Sequence, residues 1–181
     1  MFQQHITKSL SPTSAPGLTE VLFAPKSWFA TIAAPPTTHT AWGEKNRIVD
    51  NHVFVSASPA YGFIRMYTTP RSQEITMKMV GDIDSQGLDV MLEAFSPGPN
   101  YALLELMSEQ DEYIVLARPA DCELDWYFQI GQGCSGALAR DWEYKSGKGG
   151  GEGKNGFTIK FDTYASKALL YEGAVVLATA A

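Results

Sequence analysis

Period-two alternation dominates the second half of the chain. Across residues 73–80, Ile75, Met77 and Met79 share one side and Glu74, Thr76 and Lys78 the other; across 157–162, Phe157, Ile159 and Phe161 oppose Thr158, Lys160 and Asp162. A half-buried strand reads this way because successive side chains point to opposite faces. Residues 122–129 divide likewise, with Cys122, Leu124, Trp126 and Phe128 against Glu123, Asp125 and Tyr127. Shorter β-prone runs lie at 19–24, 28–32, 48–56, 62–67, 101–107, 113–117 and 138–144, and 108–112 suits a hairpin turn between two of them. Residues 169–178 predict a last strand, bent near Gly173.

One segment repeats with a helical period. Leu88, Met91, Leu92 and Phe95 fall at i, i+3, i+4 and i+7, which predicts an amphipathic helix over about 85–96. Asp84 or Ser85 is placed to cap its start, Asp89 sits in its first turn, and Ser96-Pro97-Gly98-Pro99 ends it. Strands on both sides of a single helix argue against alternating βα units. The expected fold is mainly β: a β-sandwich or barrel-like domain with one flanking α-helix and long loops.

Length and composition sharpen that picture. With 181 residues, 45% of them apolar and 12% aromatic, the chain has enough apolar surface for one core, so a single β-rich domain over 1–181 is expected. Sixteen Gly and ten Pro favour turns over long helices. Residues 1–18 are polar, broken by Pro12, Pro16 and Gly17, and read as a flexible N-terminal arm. Residues 33–46, with Pro35, Pro36 and Gly43, read as a long loop, and 145–156 as a Gly-rich hairpin tip.

Charge is unevenly distributed. The net charge is −6; residues 1–72 carry six bases and three acids, and the remainder eight bases and seventeen acids. Within 74–125, twelve acids face only Lys78 and Arg118. A chain that grips nucleic acid needs a basic face to meet the phosphates, so dedicated nucleic-acid binding is disfavoured. The acidic segment reads as a solvated surface or as one that repels polyanions. No apolar leader stands at the N-terminus and no run approaches a membrane span, which predicts a protein made and assembled in a cytoplasm.

Candidate chemistry is sparse. Cys122 and Cys134 lie twelve residues apart without a CxxC pair, and His5, His39 and His52 are scattered, so no zinc framework forms. Cys122 is in phase with an apolar strand face and reads as a buried free thiol. Gly153-Lys154-Asn155 lacks the spacing and the following helix of a phosphate-binding loop. Asp82 with Asp84, Asp111 with Glu112, and Asp141 with Glu143 are carboxylate pairs, for which structural roles are expected; the first resembles the start of a calcium loop without its later ligands. Gly133-Cys134-Ser135-Gly136 offers a thiol and a hydroxyl in a turn with no histidine spaced to activate either. No catalytic, cofactor-binding or metal-ligating residue is assigned, no cofactor is expected, and the chain reads as a non-enzyme. Trp28, Trp42 and Tyr61 are candidates for an exposed aromatic platform.

Three stretches carry a family resemblance. Leu18-Thr-Glu-Val-Leu-Phe-Ala-Pro25 resembles the opening strand of small phage tube and connector proteins. Asp141-Trp-Glu-Tyr144, the Gly/Lys-rich tip and Gly156-Phe-Thr-Ile-Lys-Phe161 resemble their late hairpin, and Leu170-Tyr-Glu-Gly-Ala-Val-Val-Leu177 their closing strand. The chain as a whole is similar to bacteriophage tail-tube (major tail) proteins or related virion structural proteins. The resemblance implies a self-assembling subunit of homo-hexameric rings. The rings stack into a tube with an acidic lumen, through which DNA passes without specific binding. It implies partners among other tail or connector proteins, no membrane span, and a place in the virion after assembly in the cytoplasm of a bacterial host. A tail terminator or head–tail connector is the neighbouring alternative; a β-sandwich module binding carbohydrate or another small ligand is the alternative of another class.

Overall fold

The computed structural model describes residues 17–38, 43–57, 61–82, 84–106, 108–109, 111–120, 124–148 and 153–179. Their strands are β1 (Leu18–Pro25), β2 (Phe29–Thr31), β3 (Arg47–Ile48), β4 (Val53–Phe54), β5 (Ile64–Met66), β6 (Glu74–Val80), β7 (Gly87–Pro97), β8 (Glu112–Pro119), β9 (Tyr127–Ile130), β10 (Ala137–Ala139), β11 (Glu143–Lys145), β12 (Gly156–Ala165) and β13 (Leu169–Tyr171). One α-helix, α1 (Tyr101–Leu106), and 3-10 turns at Lys26–Trp28 and Glu44–Asn46 complete the described elements. The fold is mainly β and sandwich-like, with open sheets and one helix.

The helix is not where its periodicity pointed. Residues 87–97 form β7, and α1 lies at 101–106, where a strand was expected. Leu88, Met91, Leu92 and Phe95 fit a helical stripe, but the same stretch also alternates. Val90, Leu92, Ala94 and Ser96 are buried, whereas Met91, Glu93 and Phe95 are half-buried. Two long ladders decide between the periods: β7 runs antiparallel to β12 from Pro97↔Gly156 to Leu88↔Ala165, and to β6 from Glu93↔Glu74 to Gly87↔Val80. Non-local pairing on both sides outweighs local propensity. Asp84 therefore lies in the turn between β6 and β7, which is closed by Ser85 N–H donating to the Asp82 carbonyl at 3.0 Å. The start of α1 is fixed by Asn100, whose Oδ1 accepts from the N–H groups of Ala102 (3.0 Å) and Leu103 (3.4 Å). The expected hairpin at 108–112 does not form either, because its first arm, 101–106, is helical, and the described partners of β8 are β1, β9 and β10.

β8 is the hub of the main sheet. Along one side it pairs with all of β1, from Leu18↔Pro119 to Pro25↔Tyr113. Along the other it meets β9 at 115–117 and β10 at 112–113. Between those two partners the chain makes an excursion over 131–136, and there the sheet forks, β9 leading to β13 and β3, β10 leading to β12, β7 and β6. Gly131 permits the break: its φ is +91°, and a Cβ there would lie 2.6 Å from the Tyr113 carbonyl oxygen. The expected strand at 138–144 is split into β10 and β11. Between the pairs Ala139↔Phe161 and Glu143↔Thr158, residues 140–142 oppose only 159 and 160, which makes a bulge with Asp141 at φ +51°. Trp142 seals it, its Nε1–H donating to the Lys160 carbonyl at 2.7 Å.

Two apolar layers follow from this layout. Val21 and Phe23 of β1 and Tyr113, Val115 and Ala117 of β8 face an inner core completed by Val90, Leu92, Phe157, Ile159 and Phe161. The alternate residues Leu22, Ala24, Ile114 and Leu116 face an outer core covered by Phe29, Ile48, Phe54, Phe63, Leu169 and Tyr171. β1 and β8 are thus packed on both faces, which is why they read as continuous apolar runs rather than alternating ones. Burying each large apolar side chain contributes roughly 1.5–3 kcal/mol. The final strand is shorter than expected: β13 ends at Tyr171, and the chain later bridges Leu177 to Phe63.

Candidate functional site

Among the described strands with a partner on one side only, β6 is the longest, and it lies on a flank where the sheet stays open. Among the described residues β6 pairs with β7 and with no other strand. Its Ile75 and Met77 pack against the inner core, Thr76 and Lys78 are exposed, and Met79 is 65% exposed at its end. At the other border β5 stops at Met66, opposite Val21, so Leu18 to Glu20 of β1 have a strand partner on one side only. The chain turns away there because Thr69 N–H donates to the Phe95 carbonyl at 2.8 Å.

Between these two borders lies a groove of about 1790 Å³. Leu18, Met66, Ile75, Met77 and Phe128 supply apolar lining, and Arg65, Arg71 and Arg118 supply cations. Arg65 Nε lies 2.6 Å from Glu20, which also accepts from the Tyr127 hydroxyl at 3.2 Å. Burial, with Glu20 beside it, raises the Tyr127 pKa above its ordinary value. The Arg118 guanidinium sits 5.8 Å from the Tyr127 ring centre and 3.7 Å from a fully exposed Asp125. Arg71 is exposed at φ +66°, in a turn closed by Ser72 N–H to the Thr69 carbonyl at 3.0 Å. Such a turn favours glycine at that conformation, so an arginine there carries backbone strain. Beneath the rim, buried Gln73 bonds Thr68 through its amide nitrogen, while its Oε1 has no partner.

Among the described residues, those singled out by chemistry do not converge. His52 is buried; Ala33 N–H donates to its Nδ1 at 3.0 Å, and its Nε2 meets Gln129 Oε1 at 3.0 Å. Its ring stacks on Tyr171 with centroids 4.4 Å apart, and burial pushes its pKa down to about 4. With both nitrogens engaged in the neutral form, His52 packs the outer layer and has no free nitrogen for a nucleophile. Cys134 is exposed in the turn of residues 132–135. His5, His39, Trp42 and Cys122, the arm at 1–16 and the tip at 149–152 lie outside the described residues. Trp28 and Tyr61 do meet, but edge to face at 5.6 Å, and Trp28 packs on the outer core; a flat stacking platform is not what they present. The Gly/Lys-rich stretch joins β11 to β12, and a strand follows it, not a helix.

The carboxylates scatter over several surfaces. Glu112 is bonded to Lys26, which holds its pKa below the usual range, and it also accepts from Gly136 N–H at 3.3 Å. Glu93 lies 3.4 Å from Lys160, and Glu143 2.8 Å from Lys145. Asp162, which the sequence did not single out, has its pKa raised by burial despite Arg140 at 3.4 Å. Exposed Glu105, Glu109 and Asp111 gather around α1 and the loop after it, and no ion pair forms there among the described residues. Among the described residues no group of three or more His, Cys, Asp or Glu is placed to hold a metal, and no helix is long and apolar enough to cross a membrane.

No family model matches the chain, and no curated protein or solved structure is found similar to it. The groove was not foreseen from sequence, because Arg65, Arg71 and Arg118 are isolated along the chain. The β6 border had one legible signal, strict alternation over 74–80 with neither proline nor glycine to blunt an edge.

Proposed function

We propose that the protein is a structural, non-catalytic subunit of a bacteriophage virion that joins copies of itself border to border into rings, which stack as a tail tube. The observation that carries this reading is the open flank: a seven-residue edge strand, β6, with no strand partner on its outer side among the described residues. Unpaired backbone N–H and C=O groups along such an edge recruit another strand, and closure between subunits is one way a β-domain removes them. The resemblance to tail-tube proteins over 18–25, 141–161 and 170–177 supplies the class, with hexameric rings as its expected form. A net charge of −6 suits a lumen that lets DNA slide, since a surplus of carboxylates does not hold phosphates. Terminators and connectors would share the ring and stop at one.

Negative-stain imaging and sedimentation of purified protein test the reading, with proline placed in turn at Thr76 and Met77. Adjacent strand residues aim their N–H groups to opposite sides, so one of the two prolines leaves the β6–β7 ladder whole while blocking the outer side. Rings from the wild type, lost in a folded proline variant, are expected. A wild type that stays monomeric at high concentration would overturn the reading.

A further inference from the structure

The groove and the helix form a matched pair of surfaces. α1 turns Leu103 and Leu106 toward the inner core and leaves Tyr101 (89% exposed) and Leu104 (41% exposed) in solvent. Glu105, Glu109 and Asp111 flank that apolar tip, and burial together with Asp111 and Glu109 pushes the Tyr113 hydroxyl beneath them up to about 12. The groove has an apolar floor at Leu18, Met66, Ile75, Met77 and Phe128 and a rim on which Arg65, Arg71 and Arg118 outnumber Glu20 and Glu74, with Arg65 already paired to Glu20. Of these cations, Arg71 has no partner among the described residues, and Arg118, which leans on the Tyr127 ring, has for a carboxylate within 4 Å among the described residues only the exposed Asp125, at 3.7 Å. Within one chain the two ends of β8 keep acids and cations apart. Asp111 precedes that strand and Arg118 nearly ends it. Seven extended residues separate them by roughly 23 Å, farther than the two side chains bridge.

We propose that the α1 knob of one copy docks into the arginine-rimmed groove of a second copy. The occupant is specified by charge complementarity over an apolar centre, the arrangement that steers and registers protein contacts. Because knob and groove are different surfaces, the contact is head to tail and repeats instead of closing on a two-fold axis. The strained Arg71 turn presents a cation to a partner at the expense of backbone comfort. The inference rests on the assembly reading above and assigns it a second interface besides the β6 border, one able to join ring to ring.

Complementation tests it. Arg71→Glu with Arg118→Glu reverses the groove, and Glu109→Lys with Asp111→Lys reverses the knob. Each double variant alone should need at least about tenfold more protein for half-association, while an equimolar mixture restores wild-type behaviour, since every contact in an alternating chain is then matched. Rings that persist without stacking in either variant support the proposal. Variants that stack like the wild type, or a mixture that fails to recover, overturn it while the proline test on β6 still stands. A wild type without self-association overturns both. If a reversed variant does not fold, Arg71→Gly serves in its place: it relieves the turn, so association weakens while the unfolding midpoint stays level or rises. An unchanged association would count against the groove.

Discussion

β8 and β6 belong to one sheet and are built to opposite specifications. β8 has strands along both sides and apolar packing on both faces, and Tyr113 to Ala117 are without exposed surface. Among the described residues β6 has a strand on one side, an inner core on one face, and exposed residues at Glu74, Thr76, Lys78 and Met79. The hydrogen-bonding capacity of the first is matched on both sides; that of the second is matched on the β7 side only, among the described residues. What the contrast teaches is that the core and the candidate interface occupy opposite ends of one scale, the number of partners a strand has found within its own chain.

Truncation in the interior should show the largest difference. Phe161→Ala removes a ring that packs against Phe23, Tyr113 and Trp142 and should cost about 3–5 kcal/mol in urea unfolding. Met79→Ala, at the exposed end of β6, should stay within about 0.5 kcal/mol. Similar losses at the two sites would erase the distinction between core and border.

Next in size is a pH effect in the outer layer that covers β8. His52 has its pKa lowered to about 4 in the folded state against 6.5 when solvated. Protonation therefore favours the unfolded chain. The contribution is complete above pH 6.5 and is lost as the pH falls through the window from 6.5 to 4, on the order of 3 kcal/mol in all. Urea titrations between pH 7.5 and 4.5 should show that decline, and His52→Asn should flatten it. A slope unchanged by the substitution would mean that the imidazole titrates in water.

Two smaller effects probe the bulge between β10 and β11. Trp142→Phe keeps the ring and removes the bond to the Lys160 carbonyl, for an expected loss of about 1 kcal/mol. Asp141→Gly, at φ +51°, should leave stability level or raise it by up to about 1 kcal/mol, because glycine takes that conformation freely. Destabilisation there would show that the Asp141 side chain matters more than its backbone.

The sequence made the interior more legible than the border. The apolar runs of β1 and β8 and the alternation of β6 and β12 are direct consequences of how many faces each strand buries. In β7, Leu88 to Phe95 satisfy both periods at once, and the ladders to β6 and β12 that choose between them are not local. The Asn100 cap of α1 follows a Pro-Gly-Pro break that reads equally well as a loop before a strand. The groove had no local signal at all. It exists because β5 ends early and the chain leaves β1 for Phe95, bringing Arg65, Arg71 and Arg118 to one rim from distant positions.

Backbone amide exchange followed against protein concentration tests the open border most directly. In dilute solution the outward-facing amides of Glu74–Val80 should exchange quickly, and they should slow as concentration rises, while those of Tyr113 to Ala117 stay protected throughout. If β6 exchanges at one rate at every concentration at which copies associate, strands of neighbouring subunits do not complete this edge, and the proposed mode of assembly is wrong.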